Sequence, residues 1–142
     1  MDNLGIQTSF QKAVCEGHLD RVRYLIFLGA DINPPSRTSA NPLILSIMEG
    51  HVDIARTLID SGATINCSKK GDWSPAHWAA LMGRHEILEL LIKNKADLSC
   101  LGPLGDTPLD LACKKGEKRC VALLLKAGSG RQDEIDCFYE AL

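Results

Sequence analysis

Aromatic side chains are scarce in this chain of 142 residues, at two Trp, two Tyr and three Phe, or 5% of the sequence. That composition suits close packing of helices by small aliphatic residues rather than a core of interlocking rings. Charge of one sign is lacking too, because 16 Lys and Arg stand against 18 Asp and Glu for a net of −2. The dense basic face that nucleic acid requires is therefore missing, and a nucleic-acid partner is not expected. Long apolar runs are also missing: those present, such as Tyr24 to Leu28, are far too short to cross a bilayer. Met1 to Phe10 has neither the basic start nor the apolar stretch of a secretory signal, position 2 holds no glycine, and Cys137 lies too far from the end for prenylation. A soluble monomer of the cytoplasm, the nucleus or both is expected, with no membrane contact. No phosphate-cradling glycine loop, nucleophile elbow or close cysteine pair is found. The chain is accordingly expected to be no enzyme, with no catalytic residue, no metal and no cofactor.

Six cysteines invite a disulfide framework. Cys67 and Cys100 hold the same place in successive sequence periods, where stacked elements lie roughly 8–10 Å apart, beyond the roughly 7 Å that a bridge allows between α-carbons. Cys15, Cys113 and Cys120 fall in helical patterns, as small buried apolar side chains. Reduced thiols are expected.

What the chain does have is a period. Gly17, Gly50, Gly83 and Gly116 are each 33 residues apart, as are Ala30, Ala63, Ala96 and Ser129. Nine residues before each glycine stands a small polar residue, Thr8, Asn41, Ser74 or Thr107, able to accept a bond from a helix's first free amides. Pro42, Pro75 and Pro108 follow three of these, at the first helical position, where a missing N–H costs nothing. Ser74-Pro75-Ala76-His77-Trp78-Ala79 and Thr107-Pro108-Leu109-Asp110-Leu111-Ala112 fit the pattern T-P-L-H-x-A at a period of 33. On these residues the chain resembles the ankyrin-repeat family, over roughly residues 4 to 130.

The resemblance implies an all-α ankyrin-repeat solenoid of helix-turn-helix units with β-hairpin connections. The expected domain is single, with repeats at about 5–37, 38–70, 71–103 and 104–130 and a C-terminal capping helix at about 132–142. First helices are expected from Ser9 to Glu16, Pro42 to Glu49, Pro75 to Met82 and Pro108 to Lys115; second helices from His18 to Leu28, His51 to Asp60, His85 to Asn94 and Glu117 to Ala127. Gln11 and Lys12 make the first of these more polar than its counterparts, as an outermost repeat requires. The family's histidine orients a hairpin through its ring, and His77 is given that role; His18, His51 and His85, at or beside the inter-helix glycines, are read as structural.

By the same resemblance, the partner surface is a concave strip of hairpin tips and first helices. The places that vary in the family fall here on Arg37, Thr38, Ala40, Met48 and Glu49, then on Lys70, Gly71, Trp73, Leu81 and Met82, then on Pro103, Leu104, Asp106, Lys114 and Lys115. Met48, Trp73, Leu81, Met82 and Leu104 put apolar bulk where the fold demands none, and Arg37, Lys69, Lys70, Lys114 and Lys115 could ring it. A protein partner with an apolar anchor and acidic flanks is expected, and Trp73→Ala is expected to weaken binding while leaving stability nearly unchanged. Against this stands the reading that Trp73 folds back over its own hairpin with Leu81 beneath it, while Trp78 belongs to the core. Leu25 to Asn33 and Leu58 to Asn66 repeat an eight-residue spacing that looks like the pattern accepted by an asparaginyl hydroxylase, which makes Asn33 and Asn66 candidate modification sites. The function implied is a non-catalytic protein-interaction module, an adaptor or recognition domain. The alternative is a dedicated inhibitor of a kinase, transcription factor or cytoskeletal protein.

Overall fold

The computed structural model describes residues 3–34, 41–66 and 73–127. Among them are eight α-helices and no strand: α1 (Asn3–Glu16), α2 (Leu19–Phe27), α3 (Pro42–Glu49), α4 (Val52–Asp60), α5 (Pro75–Met82), α6 (His85–Lys93), α7 (Pro108–Lys115) and α8 (Lys118–Lys126). The chain divides into two compact units, Met1–Thr64 and Ile65–Leu142. Each holds two helix pairs. The expected capping helix at 132–142 lies outside the described residues.

Local chemistry sets three of the four first helices. Asn41, Ser74 and Thr107 are extended, and each side chain accepts a hydrogen bond from the third helical amide, with proline at the first helical position. The inter-helix glycines Gly50, Gly83 and Gly116 then end these helices at φ of 77°, 70° and 69°, a left-handed turn that a side chain would strain. α1 differs from its expected span. It runs through Thr8 to Asn3, because no proline follows Thr8 to fix a boundary and an unbroken helical sequence precedes it.

In the first unit α1 packs on α2 and α3, and α4 closes on α2 and α3. Phe10, Val14, Leu43, Ile47, Ile54 and Leu58 are fully buried there. In the second unit α5 packs on α6 and α7, and α8 on α6 and α7. Its buried residues on α5 are Pro75, Ala76, His77, Ala79 and Ala80, so the larger aliphatic bulk comes from Ile87, Leu88, Leu91, Leu109 and Leu124. Alanine on α5 lets the backbones approach closely, which is how a core with so few rings is filled.

Register explains one charged exception. Arg21 is exposed, yet the residues 33 and 66 positions later, Ile54 and Ile87, are buried, as is Cys120 one period further. Within the second unit Cys120 lies against the preceding repeat, its Sγ 4.0 Å from the Ala79 carbonyl of α5. The first repeat has none among the described residues, so a charge stands there in water.

Cys15, Cys100, Cys113 and Cys120 form no disulfide. Burial pushes the Cys120 thiol up to about 11 and also raises Cys15, helped by Glu49 and Glu16, so neither is poised as a thiolate.

Candidate functional site

The second unit's first helices and the turn between its repeats are held by one imidazole. The backbone N–H of Ser74 donates to Nδ1 of His77 at 3.1 Å, which leaves Nε2 to carry the proton and donate to the Asp106 carbonyl at 2.8 Å. The Ser74 hydroxyl lies 2.8 Å from the same Nδ1. His77 is completely buried, so its bonds with Ser74 are made away from competing water, and that to Asp106 is partly shielded. One side chain thus caps its own helix and fixes the connection to the next repeat.

That connection is tight. The Gly102 N–H donates to the Asp106 carbonyl at 2.8 Å, and the Gly105 N–H donates to the Gly102 carbonyl at 2.9 Å. Gly105 sits at φ +80°, where glycine carries no side-chain penalty. The expected hairpin therefore exists here as a hydrogen-bonded turn without a strand ladder. The turn projects Leu104, which is 86% exposed, with Leu101 at 48% and Met82 of α5 at 38%. Leu81 is half-buried.

Trp73 is only partly available. Its ring lies 4.7 Å from that of Trp78 and 6.4 Å from that of His77, and a β-carbon built on Gly102 would come within 3.3 Å of its indole. The indole therefore covers a glycine of the next repeat's turn and is half-buried. The expectation that Trp73→Ala leaves stability nearly unchanged does not fit this packing. Trp78, expected in the core, is also half-buried against its neighbour.

The cations separate. Lys114 donates to both Asp106 carboxylate oxygens, at 2.9 and 3.1 Å, so its charge is matched within its own repeat. Lys115 is exposed, with no ion pair among the described residues. Arg37, Thr38, Ala40, Lys69, Lys70 and Gly71 lie outside the described residues. Met48 is half-buried and Glu49 exposed on α3 of the first unit. The described apolar candidates that stand exposed, Leu104 and Met82, are thus both in the second unit, as is the exposed Leu101. Sequence reasoning missed Leu101 because an apolar residue in a turn is visible as exposed only once the turn is built.

Asn33 and Asn66 both brace a following repeat. The Asn33 side chain donates to the Gly62 carbonyl at 3.0 Å and accepts from the Thr64 N–H at 2.8 Å, while Asn66 accepts from the Asp97 N–H at 2.7 Å. In the first unit His51 does related work, its Nε2 lying 3.1 Å from the Cys15 carbonyl near the end of α1. A β-carbon on Gly17 would fall 2.8 Å from that ring. Among the described residues no cluster of His, Cys, Asp and Glu could hold a metal ion, and no helix is long and apolar enough to cross a membrane.

A family model described as ankyrin repeats in three copies matches the chain twice, at residues 2–69 and 66–136. No curated relative matches it.

Proposed function

Because this chain belongs to the ankyrin-repeat family, whose members are generally protein–protein interaction modules and typically non-catalytic, we propose that it works as an adaptor or recognition domain. It binds a protein partner on the surface made by first helices and repeat connections. The observation that carries this reading is the apolar set of Leu101 and Leu104, exposed on a turn made rigid by the His77 and Asp106 bonds, and Met82, exposed at the end of α5. Pre-organised apolar side chains lose little entropy when a partner covers them. Trp73 contributes its free edge, with Leu81 beside it, and Lys115 supplies the unmatched positive charge, so the partner segment carries an apolar anchor and acidic flanks.

The test is a tagged pull-down comparing the wild-type chain with Met82→Ala, Leu104→Ser, read by mass spectrometry. A protein lost only from the double variant supports the reading; identical protein lists reject it. An inhibitor of a kinase, transcription factor or cytoskeletal protein would use the same surface. It is distinguished by assaying the captured partner's activity with and without the chain. Hydroxylation of Asn33 or Asn66 would require release of the bonds that brace the next repeat. A mass 16 Da above the sequence mass in cell-derived protein would support it, and its absence would remove it.

A further inference from the structure

The second helix of the first repeat carries an apolar surface that the fold does not use. Phe27 is 83% exposed, Tyr24 60% and Leu28 39%. One, two and three periods after Phe27 the chain has Asp60, Lys93 and Lys126, the side chains an outer helix face ordinarily shows to water. Leu28 is replaced in the same way by Ser61, Asn94 and Ala127, and Tyr24 by Thr57 in the second repeat. The first repeat alone is apolar at all three places.

Helical geometry gives the order of side chains around α2. At about 100° per residue the exposed arc runs Arg23, Phe27, Asp20, Tyr24, Leu28, Arg21. The apolar stripe is thus edged by an arginine on each side, with Asp20 toward its N-terminal end. Both arginines are exposed, and neither forms an ion pair among the described residues. Asp60 holds the equivalent of the Phe27 place on α4, so the positive charge that favours an acidic ligand is that of the two arginines of α2.

The geometry points to a second docking surface on α2, distinct from that of the repeat connections, for an amphipathic helical segment of another protein. That segment inserts bulky apolar side chains between the arginines and places carboxylates on either side. Three side chains leave too little apolar area for a symmetric pair of these chains, since even full burial of both stripes stays near the roughly 800 Å² typical of packing contacts. A separate segment can add contacts to both arginine stems as well as to the stripe.

The experiment uses two labelled amphipathic peptides of about 15 residues, alike in their Leu and Phe stripe, one flanked by Glu and the other by Lys. Binding to the full chain is followed by fluorescence anisotropy. A triple variant, Tyr24→Thr, Phe27→Asp, Leu28→Ser, installs side chains that the second repeat already carries at these places, so its unfolding midpoint should match the wild type. The Glu peptide should bind the wild type in preference to the Lys peptide, more weakly as salt rises, and about tenfold or more weakly to the triple variant. Arg21→Glu, Arg23→Glu should reverse the preference, whereas Met82→Ala, Leu104→Ser should leave it intact. Equal binding of both peptides, or binding unaffected by the triple variant, would overturn the proposal. So would loss confined to the Leu104 variant, which would assign the peptide to the other surface without weakening the proposed function. A wild-type dimer in sedimentation that the triple variant abolishes would also overturn it, by showing the stripe to be covered by a second copy.

Discussion

The two units solve the same problem with different chemistry at one place. Where the second unit has His77, the first has Ile44, 33 residues earlier. His77 is fully buried and bonds in two directions, to Ser74 and to Asp106. Ile44 can only pack. The third repeat is therefore joined to the fourth by a bond from a fully buried ring, whereas the described ties between the first two repeats are Asn33 and His51. These lie at exposed or half-buried positions, where each bond competes with water. Asp110, one period after His77, closes a capping box with Thr107 but has no second ring nitrogen to reach further. The difference teaches that the repeat tolerates an aliphatic residue at this place but gains a fixed connection from histidine, and the fixed connection carries the exposed Leu104.

The largest effect expected from breaking this contrast is at His77. His77→Leu keeps most of the volume but strands a buried amide and loosens the turn, and should cost roughly 2–4 kcal/mol in urea unfolding. His51→Ala in the first unit should cost only about 1 kcal/mol; equal costs would dissolve the distinction between the units. Trp73→Ala should follow at about 1–2 kcal/mol, because the indole covers Gly102 and stacks beside Trp78. A loss below the error of the unfolding titration would return Trp73 to the exposed role that one of the two sequence readings gave it. Smallest is Lys95, which stands at φ +62° where the first two repeats have Gly29 and Gly62 at φ +100°. Lys95→Gly should stabilise by roughly 0.5–1 kcal/mol, since relief of the left-handed strain outweighs the added freedom of the unfolded chain. A lowered thermal midpoint would show that Lys95 makes a compensating contact.

Much of the fold was legible because its determinants are local. The proline-bearing caps at 41, 74 and 107 placed α3, α5 and α7 at their observed bounds, and the second helices came within one or two residues of theirs. The start of α1 was not legible: Thr8 resembles a cap, but without the following proline nothing in the sequence stops a helix from running through it. Of the site residues, Leu104 and Met82 were found by position in the repeat and are exposed as expected. Lys114 was read as one of the cations that could ring the apolar patch and is matched by Asp106, a pairing across eight residues that depends on how the turn folds against α7.

The sequence by itself determined the period, the caps, the left-handed glycines and hence the order of helices, because each of these rests on bonds between residues a few places apart. Only the tertiary structure decided which apolar side chains are left over. Trp73 became half structural because the next repeat's Gly102 lies under its ring, and Phe27 stayed in water because nothing described packs on that face of α2. Burial is a property of what stands opposite a residue, and for those two side chains the opposite surface is set by packing between helices rather than by their own neighbours in the chain.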